Sequence, residues 1–173
     1  LSVENKSDYG YFGKRENSWQ YLIEDMNYLE GMMRLEYPDI PYFMVGHGMG
    51  SFLARDYTEA YGNGFSGAVF MGTGYTTPRL DLGIAVSKYM ADKYSKQRGE
   101  LADKIVFGAF NKKIDSANNK YDWITTDKDM LNKYIDDEKC GFLFTNEGYR
   151  DLFLLIKSVN SNKWAKSLPH NLP

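Results

Sequence analysis

Pro41-Tyr42-Phe43-Met44-Val45-Gly46-His47-Gly48-Met49-Gly50 runs directly into Ser51-Phe52-Leu53-Ala54-Arg55-Asp56-Tyr57. The first half is a short apolar run of β-prone residues and the second is compatible with a helix. A cluster of glycines separates them, so the pattern predicts a strand, a sharp turn and a helix. A second apolar run, Ser66 to Met71, follows Gly62-Asn63-Gly64 and closes on Gly72-Thr73-Gly74. Strand, helix, strand over about 30 residues is a βαβ unit, whose strands lie parallel and side by side. The chain is therefore read as α/β, with strands at about 42–46 and 66–71 and a crossover helix between them.

Three readings of the glycine cluster compete. The first is a strand-to-helix connection without chemistry. The second is the dinucleotide fingerprint G-x-G-x-x-G. It gives Gly46 and Gly48, but Ser51 stands where the third glycine belongs, and the run ending at Met71 lacks the acidic residue that would hold a ribose. The third is a nucleophile elbow, G-x-S-x-G, whose central residue sits at positive φ and stands proud of the sheet. Here the centre is Gly48, flanked by Gly46, His47, Met49 and Gly50. The flanking glycines are expected to spare a Cβ clash where strand and helix crowd together. Glycine takes the strained central conformation more easily than serine, by about 1 kcal/mol. The turn should survive the loss of the hydroxyl. The chemistry should not, because no Oγ remains to attack a carbonyl.

The flanks favour the elbow. Tyr37-Pro38, Pro41 through Ser51, and Gly67-Ala68-Val69-Phe70-Met71-Gly72-Thr73-Gly74 resemble the monoacylglycerol lipase and lysophospholipase-like branch of the α/β-hydrolases. In that branch the elbow typically reads G-H-S-M-G, followed by a helix carrying an arginine and a tyrosine, here Arg55 and Tyr57. Phe107-Gly108-Ala109-Phe110-Asn111, Asp122-Trp123 and Cys140-Gly141-Phe142 are similar to its helical cap. The resemblance covers nearly the whole chain, with one specific departure: Gly48 replaces the nucleophilic serine.

What the resemblance implies is a carboxylic ester hydrolase acting on lipid esters by a Ser-His-Asp mechanism, without metal or cofactor. It places the nucleophile at position 48, an oxyanion donor at the Met49 N–H, and elbow support at Gly46, His47 and Gly50. It implies three segments: a partial hydrolase core over residues 1–75, a helical lid over 76–162, and a return to the core over 163–173. Phe107, Phe110, Phe142 and Phe144 are then candidates to line an acyl pocket, although most such aromatics are expected simply to pack lid against core. It also implies what is missing. Only His47 and His170 are present; the family's acid and base follow a strand expected after Pro173, and its first oxyanion donor precedes Leu1. The chain is thus expected to be the middle of a longer hydrolase, its sheet completed by further segments or a second polypeptide. The alternative is a pseudoenzyme that binds acyl ligands or a protein partner through the cap groove.

Composition agrees with a folded domain. The 173 residues are 43% hydrophobic and 25% charged, with a net charge of −2, which points to neither nucleic acid nor an anionic membrane. The single cysteine, Cys140, excludes an internal disulfide and suggests a reducing, cytoplasmic setting. No apolar run approaches the roughly 20 residues that span a bilayer.

Around the βαβ unit the pattern is helical. A polar stretch over 1–17 leads to a helix capped near Asn17 or Ser18 and ending by Glu36. Its Trp19, Leu22, Ile23, Met26, Leu29 and Met33 form one stripe, expected to face the core. The crossover helix is predicted over about 50–61, terminated by Gly62-Asn63-Gly64, residues tolerant of a left-handed backbone. Further helices are predicted over about 78–94, 99–110, 127–136 (capped by Thr126) and 146–158, then a short turn at Trp164. Leu168 to Pro173 reads as the lead-in to a strand.

Overall fold

The computed structural model describes residues 8–14, 16–170 and 172. The predicted N-terminal loop and C-terminal lead-in therefore fall partly outside the described residues. The chain forms two compact units, one of Phe12–Ile84 with Asp151–Pro173, the other of Leu1–Tyr11 with Ala85–Arg150.

The first unit holds the βαβ core. Helix α1 (Trp19–Glu36) leads to strand β1 (Phe43–His47), helix α2 (Met49–Tyr61) and strand β2 (Gly67–Met71). The strands pair in parallel, in a register that sets Phe43 against Gly67, Val45 against Val69 and His47 against Met71. Successive side chains alternate between the two faces. Met44, Gly46, Ala68 and Phe70 share the more buried face, and α2 packs on both strands. Phe43, Val45, Val69 and Met71 share the opposite face and are all more than half exposed. Phe43, Met44, Val45, Val69, Phe70 and Met71 make both faces of the pair apolar, a pattern that calls for cover on both sides, and among the described residues only one side has it.

The α1 stripe is likewise half covered. Trp19 and Ile23 are buried, but Leu29 and Met33 are exposed, as are Tyr28, Met32 and Leu35 nearby. Only the first half of the stripe faces the core. Ser18 does stand at the helix start, yet it does not cap it. Its backbone N–H and hydroxyl donate instead to the buried Asp151 carboxylate, at 3.1 and 2.6 Å. This ties α1 to helix α6 (Asn146–Val159). At the far end, Arg34 bonds Glu30 at 2.5 Å and the Gly64 carbonyl at 2.7 Å, while Tyr57 donates to Glu30.

Two turns differ in detail from expectation. Gly62-Asn63-Gly64 ends α2 as expected, but in a short 3-10 turn with Gly62 at φ −65, so the left-handed backbone these residues tolerate is not used. A Cβ on Gly62 would press on Thr58 Cγ2 at 2.8 Å, so close approach explains that glycine. Helix α5 (Lys128–Asp136) is capped by Asp127, not Thr126: the Asp127 carboxylate accepts from the Asp129 and Met130 N–H groups at 2.9 and 3.1 Å.

The second unit is helical. It contains most of α3 (Pro78–Tyr94), α4 (Glu100–Phe107), α5 and the start of α6. Helix α4 stops at Phe107, short of the predicted Phe110, and a 3-10 turn over Phe110–Lys113 follows. The N-terminal segment is stitched in by hydrogen bonds. Thr145 N–H donates to Gly10 O at 3.1 Å, and Arg98 donates to Leu143 O at 2.9 Å and to Tyr9 O. Gly10 lies at φ +70 and passes so close to Phe144 that a Cβ would fall 2.5 Å from its Cα. Helix α7 (Asn162–Ser167) returns to the first unit, and no strand follows it among the described residues.

Candidate active site

Strand β1 ends at His47 and α2 begins at Met49, so one residue, Gly48, makes the whole turn. Its φ of 56 and ψ of −124 belong to no region that a residue with a Cβ enters freely. Both of its backbone polar groups are used. Its N–H donates to Met71 O at 3.1 Å, and its carbonyl accepts from Ser51 N at 3.0 Å and Ser51 Oγ at 2.7 Å. These bonds lock the turn to the end of β2 on one side and to the first turn of α2 on the other.

The space around the turn is as telling as the bonds. A Cβ at Gly48 would meet nothing within 4 Å, so a side chain there projects into open space. A Cβ at Gly46 would lie 2.5 Å from Gly50 O and 2.7 Å from Ala54 Cβ. Strand and helix meet at Gly46, and this glycine is demanded by packing. Gly50 is different from expectation: a Cβ there also meets nothing within 4 Å, so crowding does not explain it.

Met49 is the first residue of α2, and the first N–H groups of a helix have no intrahelical acceptor. With the helix dipole they form a positive end beside position 48. The loop after β2 closes the other side. Gly72, at φ +56, passes the His47 imidazole so closely that a Cβ would sit 3.1 Å from Nε2. Arg55 anchors this loop from below. Its buried guanidinium donates to Thr73 Oγ1 at 3.1 Å, to Asn160 Oδ1 at 3.2 Å and to Val159 O, and lies 4.3 Å from the Trp164 ring centre. Trp164 Nε1 donates to Arg55 O at 2.8 Å, and Asn160 Nδ2 to Gly74 O at 3.2 Å. All of these acceptors are neutral, and burial lowers the Arg55 pKa.

A strand and a helix joined by one positive-φ residue, on a parallel sheet, is the arrangement of the hydrolase elbow. A sequence profile of the family described as serine aminopeptidase, S33, matches residues 6–172. The chain belongs to this family of α/β-hydrolases. Solved structures agree. A highly thermostable carboxyl esterase from Bacillus coagulans, in complex with glycerol, is 25% identical and superposes with a TM-score of 0.82 over 93% of this chain. A lipase in an open form, 17% identical, superposes with a TM-score of 0.76 over 91% of this chain and shares the fold. The S33-family chain spans 52% of the length of each of these two structures. A comparison with curated proteins found no match.

Gly46, His47, Gly48, Met49 and Gly50 thus lie on a single turn. The four candidate pocket aromatics lie in the other unit and divide into two groups. Phe107 stacks on Trp123 at 5.8 Å and meets Phe110 edge-on at 5.4 Å. Phe142 stacks on Phe144 at 5.8 Å, between Tyr9 and Tyr149. A cavity of about 380 Å³ in that unit is lined by Phe107 together with Glu100, Asp103, Lys104, Gly108, Lys120 and Leu143; Phe110, Phe142 and Phe144 do not line it. The Arg55–Trp164–Asn160 anchor went unread in the sequence, because it joins residues more than 100 positions apart. Among the described residues no three His, Cys, Asp or Glu side chains gather as a metal site, and no helix is long and apolar enough to cross a membrane.

Proposed function

We propose that the chain carries the nucleophile elbow of a carboxylic ester hydrolase of the lysophospholipase and monoacylglycerol lipase type, and that Gly48 leaves it without hydrolytic activity. The conformation of Gly48, with open space where a side chain would stand, carries this reading. With serine at position 48, Oγ would attack the acyl carbonyl of a lipid ester, a histidine would take its proton, and the Met49 N–H would help hold the oxyanion. His47 supports the turn and is not the base. The resemblance puts acid and base after residue 173, and further segments or a second polypeptide would supply them and complete the sheet. In this reading residues 76–162 are the lid over the acyl chain, residues 1–75 and 163–173 the core, and the setting is cytoplasmic.

A second reading keeps the turn and drops the reaction: a pseudoenzyme that binds acyl ligands. It is favoured by a turn whose hydrogen bonds do not depend on any side chain at position 48. The native gene separates the two: a serine codon at position 48 makes Gly48 a change from an active enzyme, whereas a glycine codon there, with saturable binding of a non-hydrolysable ether analogue of a monoacylglycerol, supports the pseudoenzyme. Turnover of the matching ester by the chain as written contradicts both.

A further inference from the structure

Helix α1 carries apolar side chains on two separate faces. One face is turned to α2: Trp19 and Ile23 are buried on it, Asn27 and Glu30 accept from Tyr57 OH, and Arg34 donates to the Gly64 carbonyl. A second set, Tyr21, Tyr28, Met32 and Leu35, stands on the opposite side. Its spacing of 7, 4 and 3 residues keeps it within an arc of about 60° at 3.6 residues per turn. All four side chains are exposed, Tyr28 at 71% and Leu35 at 88%. The outer face of a helix that packs by one side is ordinarily polar.

Gly31 lies at the edge of this stripe, one turn from both Tyr28 and Leu35. Glycine inside an 18-residue helix weakens it relative to alanine. Nothing among the described residues calls for it: a Cβ there would meet no atom within 4 Å, and its φ is not positive. It leaves a notch between two large side chains, the shape that takes a side chain from a second helix.

The charges along the stripe have one sign. Helix α1 carries Glu24, Asp25, Glu30 and Glu36 against Arg34 alone. Glu30 and Arg34 pair with each other at 2.5 Å and belong to the α2 side. By helical position Glu24 borders one edge of the stripe and Asp25 and Glu36 the other. An apolar seam at three-and-four spacing with carboxylates along its edges is one half of a helix pair whose other half carries cations. A second copy of this chain would set carboxylate against carboxylate.

We propose that the outer face of α1 docks a basic amphipathic helix of another protein. Its apolar residues lie along Tyr21, Tyr28, Met32 and Leu35, one of them enters the notch at Gly31, and its lysines or arginines meet Asp25 and Glu36. The surface shares no residue with the elbow, so it does not depend on what stands at position 48.

Fluorescence anisotropy with a labelled amphipathic helical peptide of leucine and lysine, long enough to match α1, tests this. The same peptide with glutamate in place of lysine is the comparison. The lysine peptide should bind saturably and more weakly as salt is raised, and the glutamate peptide should not bind. Met32→Gln with Leu35→Gln should weaken binding about tenfold or more. Gly31→Leu should weaken it about as much while the melting temperature holds or rises, since leucine is the better helix former; damage to the fold would lower both. Asp25→Lys with Glu36→Lys should reverse the preference toward the glutamate peptide. Val45→Lys with Val69→Glu, on the bare sheet face, should leave the affinity unchanged. No saturable binding, binding that the Gly31 or stripe variants leave unchanged or strengthen, or binding lost in the sheet-face variant overturns the proposal. Self-association in sedimentation runs that Leu35→Gln abolishes also overturns it, because the occupant is then a second copy.

Discussion

Replacing Gly48 with alanine isolates the backbone term at the elbow. The Cβ meets nothing within 4 Å, so no steric clash contributes. What remains is the conformation, φ 56 and ψ −124. Holding a residue with a Cβ in such a region costs about 1–3 kcal/mol, while alanine's less flexible unfolded state returns roughly 0.4–1 kcal/mol. The net loss is about 0–2.6 kcal/mol, or up to about 10 °C in melting temperature for a domain of this size. Gly50→Ala is the internal control. It also has open space, but it lies in the first turn of α2, where alanine is the better helix former, so its melting point should equal or exceed wild type. Gly46→Ala should fall by about 1–3 kcal/mol through overpacking against Gly50 O and Ala54 Cβ. Thermal melts followed by circular dichroism give the order. A Gly48→Ala variant melting above wild type would show that the turn is not held at positive φ, and the elbow geometry would fall with it.

Arg55→Ala should lose about 2–4 kcal/mol, because it strands the Val159 carbonyl and Asn160 and uncovers the Trp164 ring. Chemical denaturation measures this, and a loss under about 0.5 kcal/mol would contradict the anchor. Burial raises the Asp56 pKa, against the opposing hydrogen bonds from Trp19 and Gln20. A raised folded-state pKa means that the folded chain binds the extra proton. Stability therefore falls as pH rises from the unfolded carboxylate's range, near 3.8, through the folded value. Asp56→Asn should flatten that slope, and an unchanged pH profile of stability would refute it. The bare sheet face should make the isolated chain self-associate in sedimentation runs. Val45→Lys with Val69→Glu, opposed in register and exposed, should suppress this with little change in melting temperature. A sharply monodisperse wild-type monomer would contradict the need for further cover.

The local elements were legible because their signals are local. Gly48 between Val45 and Phe52 allows little but a strand, a turn and a helix, and the apolar run at Ser66 to Met71 supplies the parallel partner. What failed depends on distant partners. Leu29 and Met33 continue the stripe of Trp19 and Ile23, yet the stripe does not say where its cover ends. Ser18 has the right chemistry for a cap but finds a stronger acceptor in Asp151, 133 residues away. Thr126 and Asp127 are both plausible caps by type, and the carboxylate wins because it accepts from two N–H groups at once. Phe107 and Phe142 look alike in sequence but enter different aromatic groups, which only the path of the loops decides.

The central claim is that position 48 is a nucleophile position emptied of its nucleophile. Intact-mass spectrometry of the wild-type chain after treatment with a fluorophosphonate ester probe tests it most directly. The account predicts an unmodified mass, because no activated hydroxyl stands at the turn. A stoichiometric covalent adduct mapped to any residue between Gly46 and Ser51 would contradict it.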